Sequence, residues 1–184
     1  MRKAVAVRVP ALVPALVVAL AGCSAQVARP ALARCTDVER LALVAQSVPS
    51  TSYVPCAASP AEGWSTGQVD VRNGHTSFVL TSDRNIGHPV DVELTPSCDP
   101  GTASPEPART RGGRTYLHLT GIDPRYVGLL YDVFPGGCVT YRFDFPRGPH
   151  IALMAQLQSA IGFVPRWQLR HLVEQRLGVP LDPP

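Results

Sequence analysis

Hydrophobic and polar residues alternate along the middle of the chain, which is typical of β-strands with one buried face. The first two alternating runs flank the dipeptide Asn73-Gly74, which favours the tight turn of a β-hairpin. The apolar positions of these runs are Val69, Val71, Phe78 and Leu80. We therefore expect a hairpin that places all of these side chains on one face of a sheet.

Further runs extend the strand pattern toward residue 145. Residues 90–94 alternate between apolar and acidic side chains, and 114–120 and 126–134 are rich in aromatic, β-branched and leucine residues. After a turn at Pro135-Gly136-Gly137, residues 138–145 alternate again. The sequence thus predicts an antiparallel sheet of about six strands.

Helical periodicity occurs before and after these strands. Thr36 and Glu39 match a capping box, and the apolar stripe that follows ends at Pro49. Two more stripes lie near the end of the chain: Leu153, Leu157, Ala160, Ile161 and Val164, then Leu169, Leu172, Val173 and Leu177. The pattern predicts an α+β fold with an N-terminal helix, the antiparallel sheet and two C-terminal helices.

Proline-bearing segments separate these elements. We expect residues 47–63 to form an ordered loop fixed at Cys56, and residues 99–113 to form a flexible surface loop.

The start of the chain has the features of an export signal. Basic residues within 2–8 precede the apolar stretch 9–21, which is too short to span a bilayer. The stretch ends in Leu20-Ala21-Gly22-Cys23, which resembles the lipobox of bacterial lipoproteins. That resemblance implies that Cys23 is acylated and becomes the first residue of the mature protein.

This interpretation divides the chain into parts. We expect a lipoprotein signal peptide at 1–22, a tether at 23–34 and a single globular domain at 35–184. The acylated Cys23 would hold the domain on the extracytoplasmic face of the cell membrane, with the lipid bilayer as its first partner.

The charge balance excludes one class of partner. The formal net charge is +3, but without Arg2, Lys3 and Arg8 the basic and acidic residues both number 14. A neutral chain with scattered arginines has no electrostatic footprint for nucleic acid. We therefore expect no nucleic-acid partner.

The remaining cysteines are Cys35, Cys56, Cys98 and Cys138, an even number in an exported chain. Two disulfides are expected, and three pairings remain open. The positions of the predicted elements favour Cys35–Cys56 and Cys98–Cys138. None of the cysteines shows the C-x-x-C spacing of a zinc or redox site, and we expect no metal or other cofactor.

Two patterns suggest an enzyme as the alternative function. The segment Gly63-Trp64-Ser65-Thr66-Gly67 matches the G-x-S-x-G motif of α/β-hydrolases, in which Ser65 would be the nucleophile. However, that motif needs a strand before the serine and a helix after it, whereas a loop precedes Ser65 and a strand follows. Cys138 could act as a thiol nucleophile with His118 or His150 as its base, but its role in a disulfide explains it equally well.

Other polar and aromatic residues are less specific. The histidines His75, His88, His118, His150 and His171 show no metal-ligand spacing. Several tyrosines exposed together would indicate a surface for an envelope protein or a glycan; the candidates are Tyr116, Tyr126, Tyr131 and Tyr141, with Trp64 and Trp167.

The run from Tyr131 to Phe145, together with the lipobox and Pro55-Cys56, resembles a group of uncharacterised lipoproteins of high-GC Gram-positive bacteria. The resemblance implies an extracytoplasmic address and oxidised cysteines, and it implies no catalytic residue. We therefore expect a lipid-anchored envelope protein that acts as a binding or interaction module. The alternative is an envelope hydrolase or thiol enzyme that uses Ser65 or Cys138.

Overall fold

The structure is a computed structural model and describes residues 31–58 and 63–181. The helices are α1 (Val38–Ser47), α2 (His150–Ala160) and α3 (Arg166–Leu177). The strands are β1 (Tyr53–Ala57), β2 (Trp64–Arg72), β3 (His75–Ser82), β4 (Val90–Thr95), β5 (Ser104–Glu106), β6 (Arg114–Gly121), β7 (Arg125–Phe134), β8 (Gly137–Pro146) and β9 (Ile161–Pro165). Helices and a largely antiparallel sheet confirm the α+β class.

The strands form two antiparallel sheets. The large sheet has seven strands in the order β2-β3-β4-β8-β7-β6-β5, and the small one pairs β1 with β9. One face of the large sheet, the helices and the small sheet share a single hydrophobic core. Fully buried side chains from these layers include Leu94, Tyr141 and Phe143 of the sheet and Leu41, Leu157 and Leu169 of the helices.

The strand number and the placement of the helices differ from the prediction. The sheets have seven and two strands rather than about six, and the helices do not close the chain as a pair, because β9 separates α2 from α3. The predicted helical stripe ends at Ala160, and Ile161 and Val164 are buried in a strand that pairs with β1. Since β1 has an unpaired edge, β-branched and aromatic residues after α2 complete a sheet instead of continuing the helix.

The Asn73-Gly74 hairpin is confirmed, with Arg72 opposite His75 and Gly74 at a φ of 77°. The register places all four apolar residues on one face, as predicted, although Val71 at the edge of the sheet is 43% exposed. The position across from Val71 is the buried Thr76, whose hydroxyl is hydrogen-bonded to Ser47 at the end of α1. The end of α1 thus covers the core side of β3 but does not cover Val71 on the edge strand β2.

The first helix starts one residue later than predicted. Asp37, not Thr36, caps α1 by accepting a hydrogen bond from the backbone N–H of Arg40. The helix ends at Ser47, before Pro49.

The predicted flexible loop at 99–113 is fixed to the domain. It contains β5, and its Arg109 side chain reaches inward to an ion pair with Asp132 at 2.6 Å. Arg109 also donates to the Tyr141 hydroxyl and to the backbone carbonyls of Gln158 and Ile161. Burial raises the pKa of Asp132, and the charge of Arg109 acts in the opposite direction. We call this set of contacts the arginine clasp.

Both predicted disulfides are present, Cys35–Cys56 and Cys98–Cys138. The first joins the segment before α1 to β1, and the second joins the segment after β4 to the start of β8. The elements, the core and both disulfides all lie within residues 31–181, so the described part contains its own stabilising contacts.

The predicted signal peptide, the predicted lipidation site Cys23 and most of the predicted tether lie outside the described residues. The described end of that tether packs on the domain: Leu32 and Ala33 are buried, and Ala31 forms a β-bridge with Gln68. In the part of the chain that the structure describes, no helix combines the length and hydrophobicity needed to cross a bilayer.

Candidate functional site

Ser65 does not occupy a nucleophile elbow. It lies on β2, the edge strand of the large sheet, and its hydroxyl is hydrogen-bonded to the hydroxyl of Thr81 at 2.7 Å. Among the described residues, no histidine or carboxylate is hydrogen-bonded to Ser65. A strand follows Ser65 where the hydrolase motif needs a helix.

Cys138 is not a thiol in this structure. It is fully buried and bonded to Cys98, so its sulfur carries no ionisable proton. His118 faces Leu129 on β7, whereas Cys138 faces Val133, about 13 Å further along that strand. The structure therefore does not bring His118 to Cys138.

The histidines lie in different parts of the fold, as the sequence suggested. Within the described residues, no group of three or more histidine, cysteine, aspartate or glutamate side chains is placed to hold a metal ion. His150 stacks on Tyr126 with 4.5 Å between ring centroids, and His171 contacts the edge of Trp167.

The predicted cluster of exposed tyrosines does not form in the described structure. Tyr141 is fully buried, Tyr131 is 9% exposed and Trp64 is 8% exposed, while Tyr116 and Tyr126 are half-buried. Burial raises the pKa of Tyr126, and the charge of Glu106 adds to that effect. Trp167 alone among these aromatic candidates is strongly exposed.

A different group of residues projects from one end of the large sheet. The loop between β3 and β4, the turn between β6 and β7 and the segment from the end of β8 to the first turn of α2 meet at this end because of the antiparallel register. Each carries an isoleucine that is largely exposed: Ile86 at 83%, Ile122 at 64% and Ile151 at 76%. We call residues 83–89, 121–125 and 146–151 the isoleucine end.

A polar cluster holds the first of these loops in place. The Asp144 carboxylate accepts from Arg125 Nε and pairs with His88 Nδ1 at 3.1 Å. The buried Asn85 amide donates to the backbone carbonyls of His88 and Asp144, at 2.6 and 3.0 Å. Ile86 is therefore exposed on a loop that is fixed on both sides.

The other two segments are tied to each other. Arg147 pairs with Asp123 at 2.8 Å, and the stack of His150 on Tyr126 joins the start of α2 to β7. Ile122 and Ile151 adjoin these contacts in the sequence. The structure thus fixes the backbone around all three isoleucines while leaving their side chains in solvent.

A cleft of about 330 Å³ opens near the same end of the edge strand. Its apolar lining includes Leu32, Trp64 and Leu80, and its polar lining includes Arg34 and Arg40. The Trp64 indole N–H donates to Gln156 at 3.1 Å, which fixes the ring between β2 and α2. The cleft is therefore a preformed hollow with an apolar floor and basic residues beside it.

The opposite end of the sheet carries a second, shallower cleft of about 390 Å³. It lies between residues 50–52, the turn at Pro135-Gly136 and the first turn of α3, and Trp167 and Arg170 line it. We call this region the tryptophan end.

Sequence reasoning missed the isoleucine end because each isoleucine is isolated. Ile86 lies between Asn85 and Gly87, and Ile122 lies between Gly121 and Asp123. The available signal was an isoleucine in a segment with turn residues, where a buried side chain is not expected. Only the fold shows that the three segments meet.

No protein-family model matches this chain, and no curated protein or solved structure is significantly similar to it.

Proposed function

We propose that the protein is a lipid-anchored binding module on the extracytoplasmic face of the cell membrane, without catalytic activity. The observation that supports it most directly is the Cys98–Cys138 disulfide, because it consumes the one thiol that the sequence offered as a nucleophile. The hydrogen bond between Ser65 and Thr81 gives the other candidate nucleophile a structural partner.

The two disulfides also support an exported location. Disulfides persist in oxidising compartments and are rare where glutathione and thioredoxin keep thiols reduced. The lipobox at Leu20–Cys23 supports anchoring at such a location through Cys23. Two or more acyl chains anchor a protein stably where one chain binds only marginally.

The cleft beside Trp64 is the ligand site that we assign to this module. Its apolar floor favours an apolar group, and the exposed Arg34 favours a negative charge on the same ligand, whereas Arg40 already pairs with Asp37 at 3.6 Å. We therefore propose a small amphiphile as the ligand class. An envelope protein or a glycan remains a predicted partner for the outer surface.

One experiment tests the anchor and the thiol chemistry together. The intact mass of the protein purified from membranes is measured with and without alkylation under non-reducing conditions. We expect an acylated chain that starts at Cys23 and takes up no alkylating reagent. An unacylated chain that starts elsewhere contradicts the anchor, and an alkylated Cys138 contradicts the non-catalytic role.

The ligand class is tested by energy transfer from Trp64 to a dansyl-labelled fatty acid. We expect saturable transfer in the natural chain and its loss in Trp64→Phe, while Trp167→Phe keeps it. Transfer that depends on Trp167 instead contradicts the cleft as the site.

A further inference from the structure

We propose that the isoleucine end is a membrane-docking surface, on which Ile86, Ile122 and Ile151 enter the interfacial region of the phospholipid bilayer. The inference rests on the proposed lipid anchoring, which would hold the domain at a bilayer, and it adds the orientation of the domain on that surface. The juxtaposition of three exposed isoleucines on separate segments at one end of the sheet carries it.

Folding does not need the side chains of the three isoleucines. At 83%, 64% and 76% exposure they contribute little to the core, and single exposed apolar residues are ordinary when scattered. Here they occur at one end of the molecule, each on a segment fixed by polar contacts. A loop that is held rigid while it presents isoleucine to solvent is suited to contact with an apolar phase.

The spacing of the three isoleucines fits a bilayer better than a protein partner. The isoleucines are separated by polar residues, among them Asp123, His88 and Arg147. The core of a protein interface is packed to the density of a protein interior, so a protein partner would have to bury and match these polar residues together with the isoleucines. A bilayer interface is fluid, and it can accept separate apolar side chains while the polar residues between them stay among the lipid headgroups.

The charges at the isoleucine end also bear on membrane contact, because lipid phosphates repel free carboxylates. Asp123 pairs with Arg147, and Asp144 pairs with Arg125 and His88. Asp83 is exposed and forms no ion pair within the described residues, so a lipid phosphate would repel its carboxylate, and the positive charge of the adjacent Arg84 offsets that repulsion. Arg84 lies two residues before Ile86. It is exposed and forms no ion pair within the described residues, so it is available to a phosphate.

The predicted anchor at Cys23 can reach a bilayer that contacts the isoleucine end. Ala31 bridges to Gln68 in the middle of β2, and Trp64 marks the isoleucine end of that strand. The distance along the strand from Gln68 to Trp64 is about 13 Å. The chain between Cys23 and Ala31 spans at most about 29 Å when extended, so a bilayer at the isoleucine end is within reach of Cys23.

The test uses the chain from Ser24 onward, which lacks the leader and Cys23 but keeps the core and both disulfides described above. Its partitioning onto vesicles of phosphatidylcholine and phosphatidylglycerol is measured by sedimentation at rising lipid concentration. We compare the natural sequence with the variant Ile86→Ser/Ile122→Ser/Ile151→Ser. The matched control is Leu43→Ser/Val71→Ser/Trp167→Ser, which removes exposed apolar side chains elsewhere on the domain.

We expect the isoleucine variant to lose about tenfold in partition coefficient for each isoleucine removed, because that is the effect of withdrawing one such side chain from an apolar phase. The control should stay within about threefold of the natural chain, well below one such step. Circular dichroism and the absence of free thiols verify that each variant is folded. Equal partitioning of the isoleucine variant and the natural chain overturns the proposal, as does a larger loss in the control or no binding of the natural chain at millimolar lipid.

The outcome is independent of the anchor, because this chain has no Cys23. An acylated protein in the intact-mass experiment, combined with equal partitioning here, leaves the anchor standing and removes the docking surface. Isoleucine-dependent partitioning combined with an unacylated mass leaves the docking surface standing and removes the anchor. The docking surface then binds a membrane that the chain reaches without a covalent lipid.

Discussion

The two ends of the large sheet are stabilised by different kinds of interaction. Near the tryptophan end, the arginine clasp buries Asp132 to 1% exposure and Arg109 to 13%, and the Cys98–Cys138 disulfide lies beside β7. At the isoleucine end, the ion pairs are partly exposed, and Asp123 and Arg147 are each about two-thirds exposed, at 66% and 67%. The contacts near the tryptophan end stabilise the whole fold. The contacts at the isoleucine end fix the positions of a few loops at little energetic cost.

The difference matters because buried and exposed charges respond differently to substitution. Removing one partner of a buried pair leaves a charge without compensation in the interior, whereas an exposed charge is solvated again by water. The comparison therefore predicts large global effects at the clasp and small local effects at the isoleucine end.

The largest effect is expected from Asp132→Asn. The change leaves the Arg109 guanidinium buried without its counter-charge, and we expect the free energy of unfolding to fall by about 3–5 kcal/mol. Urea denaturation followed by circular dichroism measures it. The matched control is Asp123→Asn in the exposed pair with Arg147, for which we expect less than about 1 kcal/mol. Similar losses in both variants would contradict the distinction between the two ends.

Removal of a disulfide is expected to cause the next largest loss of stability. The length of the loop that each disulfide closes predicts which removal costs more. Cys98 and Cys138 are 40 positions apart, and Cys35 and Cys56 are 21 apart. From the loop entropy of the unfolded chain, we expect Cys98→Ser/Cys138→Ser to cost about 4 kcal/mol and Cys35→Ser/Cys56→Ser about 3 kcal/mol. Denaturation of the two double variants under identical conditions checks the order. A larger loss from the shorter loop would mean that native packing around Cys35 outweighs chain entropy.

The turn at the tryptophan end gives a third effect. Gly136 has a φ of 69°, and a Cβ atom there would lie 1.8 Å from the Ser50 carbonyl oxygen. We expect Gly136→Ala to destabilise the protein by about 3 kcal/mol, through both the left-handed backbone and the clash. Gly74 is the matched control, because its φ is 77° and nothing lies within 4 Å of a Cβ atom there.

For Gly74→Ala we expect about 1 kcal/mol, from the backbone conformation alone. The difference between the two alanine variants in thermal or urea unfolding isolates the cost of the clash between the added Cβ atom and Ser50. Equal losses would show that the turn and Ser50 move apart at no cost to stability.

These glycines also explain part of what the sequence could predict. The Pro135-Gly136-Gly137 turn, the Asn73-Gly74 turn and the alternating strands follow from local residue preferences, and the structure confirms them. The disulfide pairing was favoured by the positions of the neighbouring elements and is also confirmed. Local signals therefore determine most of the large sheet.

The errors arose where a partner distant in sequence decides the conformation. The pattern of Ile161 and Val164 fits a helix equally well, and only the open edge of β1 selects a strand. Arg109 lies in a segment with the composition of a flexible loop, and its burial depends on Asp132 and Tyr141 of other strands. The isoleucine end belongs to the same class, because no local pattern indicates that its segments meet.

The smallest effect is expected from Asp144→Asn at the isoleucine end. Asp144 is 35% exposed and Arg125 is 31% exposed, so we expect the free energy of unfolding to change by less than about 1 kcal/mol. The change should instead be local, because Asp144 joins Arg125 and His88 and so helps to fix the loop at 83–89. Faster amide hydrogen exchange in residues 83–89, with unchanged exchange in β7 and β8 away from this loop, is the expected signature.

A second measurement connects this change to docking. If a fixed loop helps Ile86 to enter the bilayer, Asp144→Asn should also weaken vesicle partitioning, but by less than the loss of the isoleucine itself, because the side chain is still present. Unchanged partitioning with accelerated exchange would show that the bilayer needs the isoleucines and not the rigidity of their loops. Unchanged exchange would show that the hydrogen bonds from the Asn85 side-chain amide to the backbone carbonyls of His88 and Asp144 hold the loop by themselves.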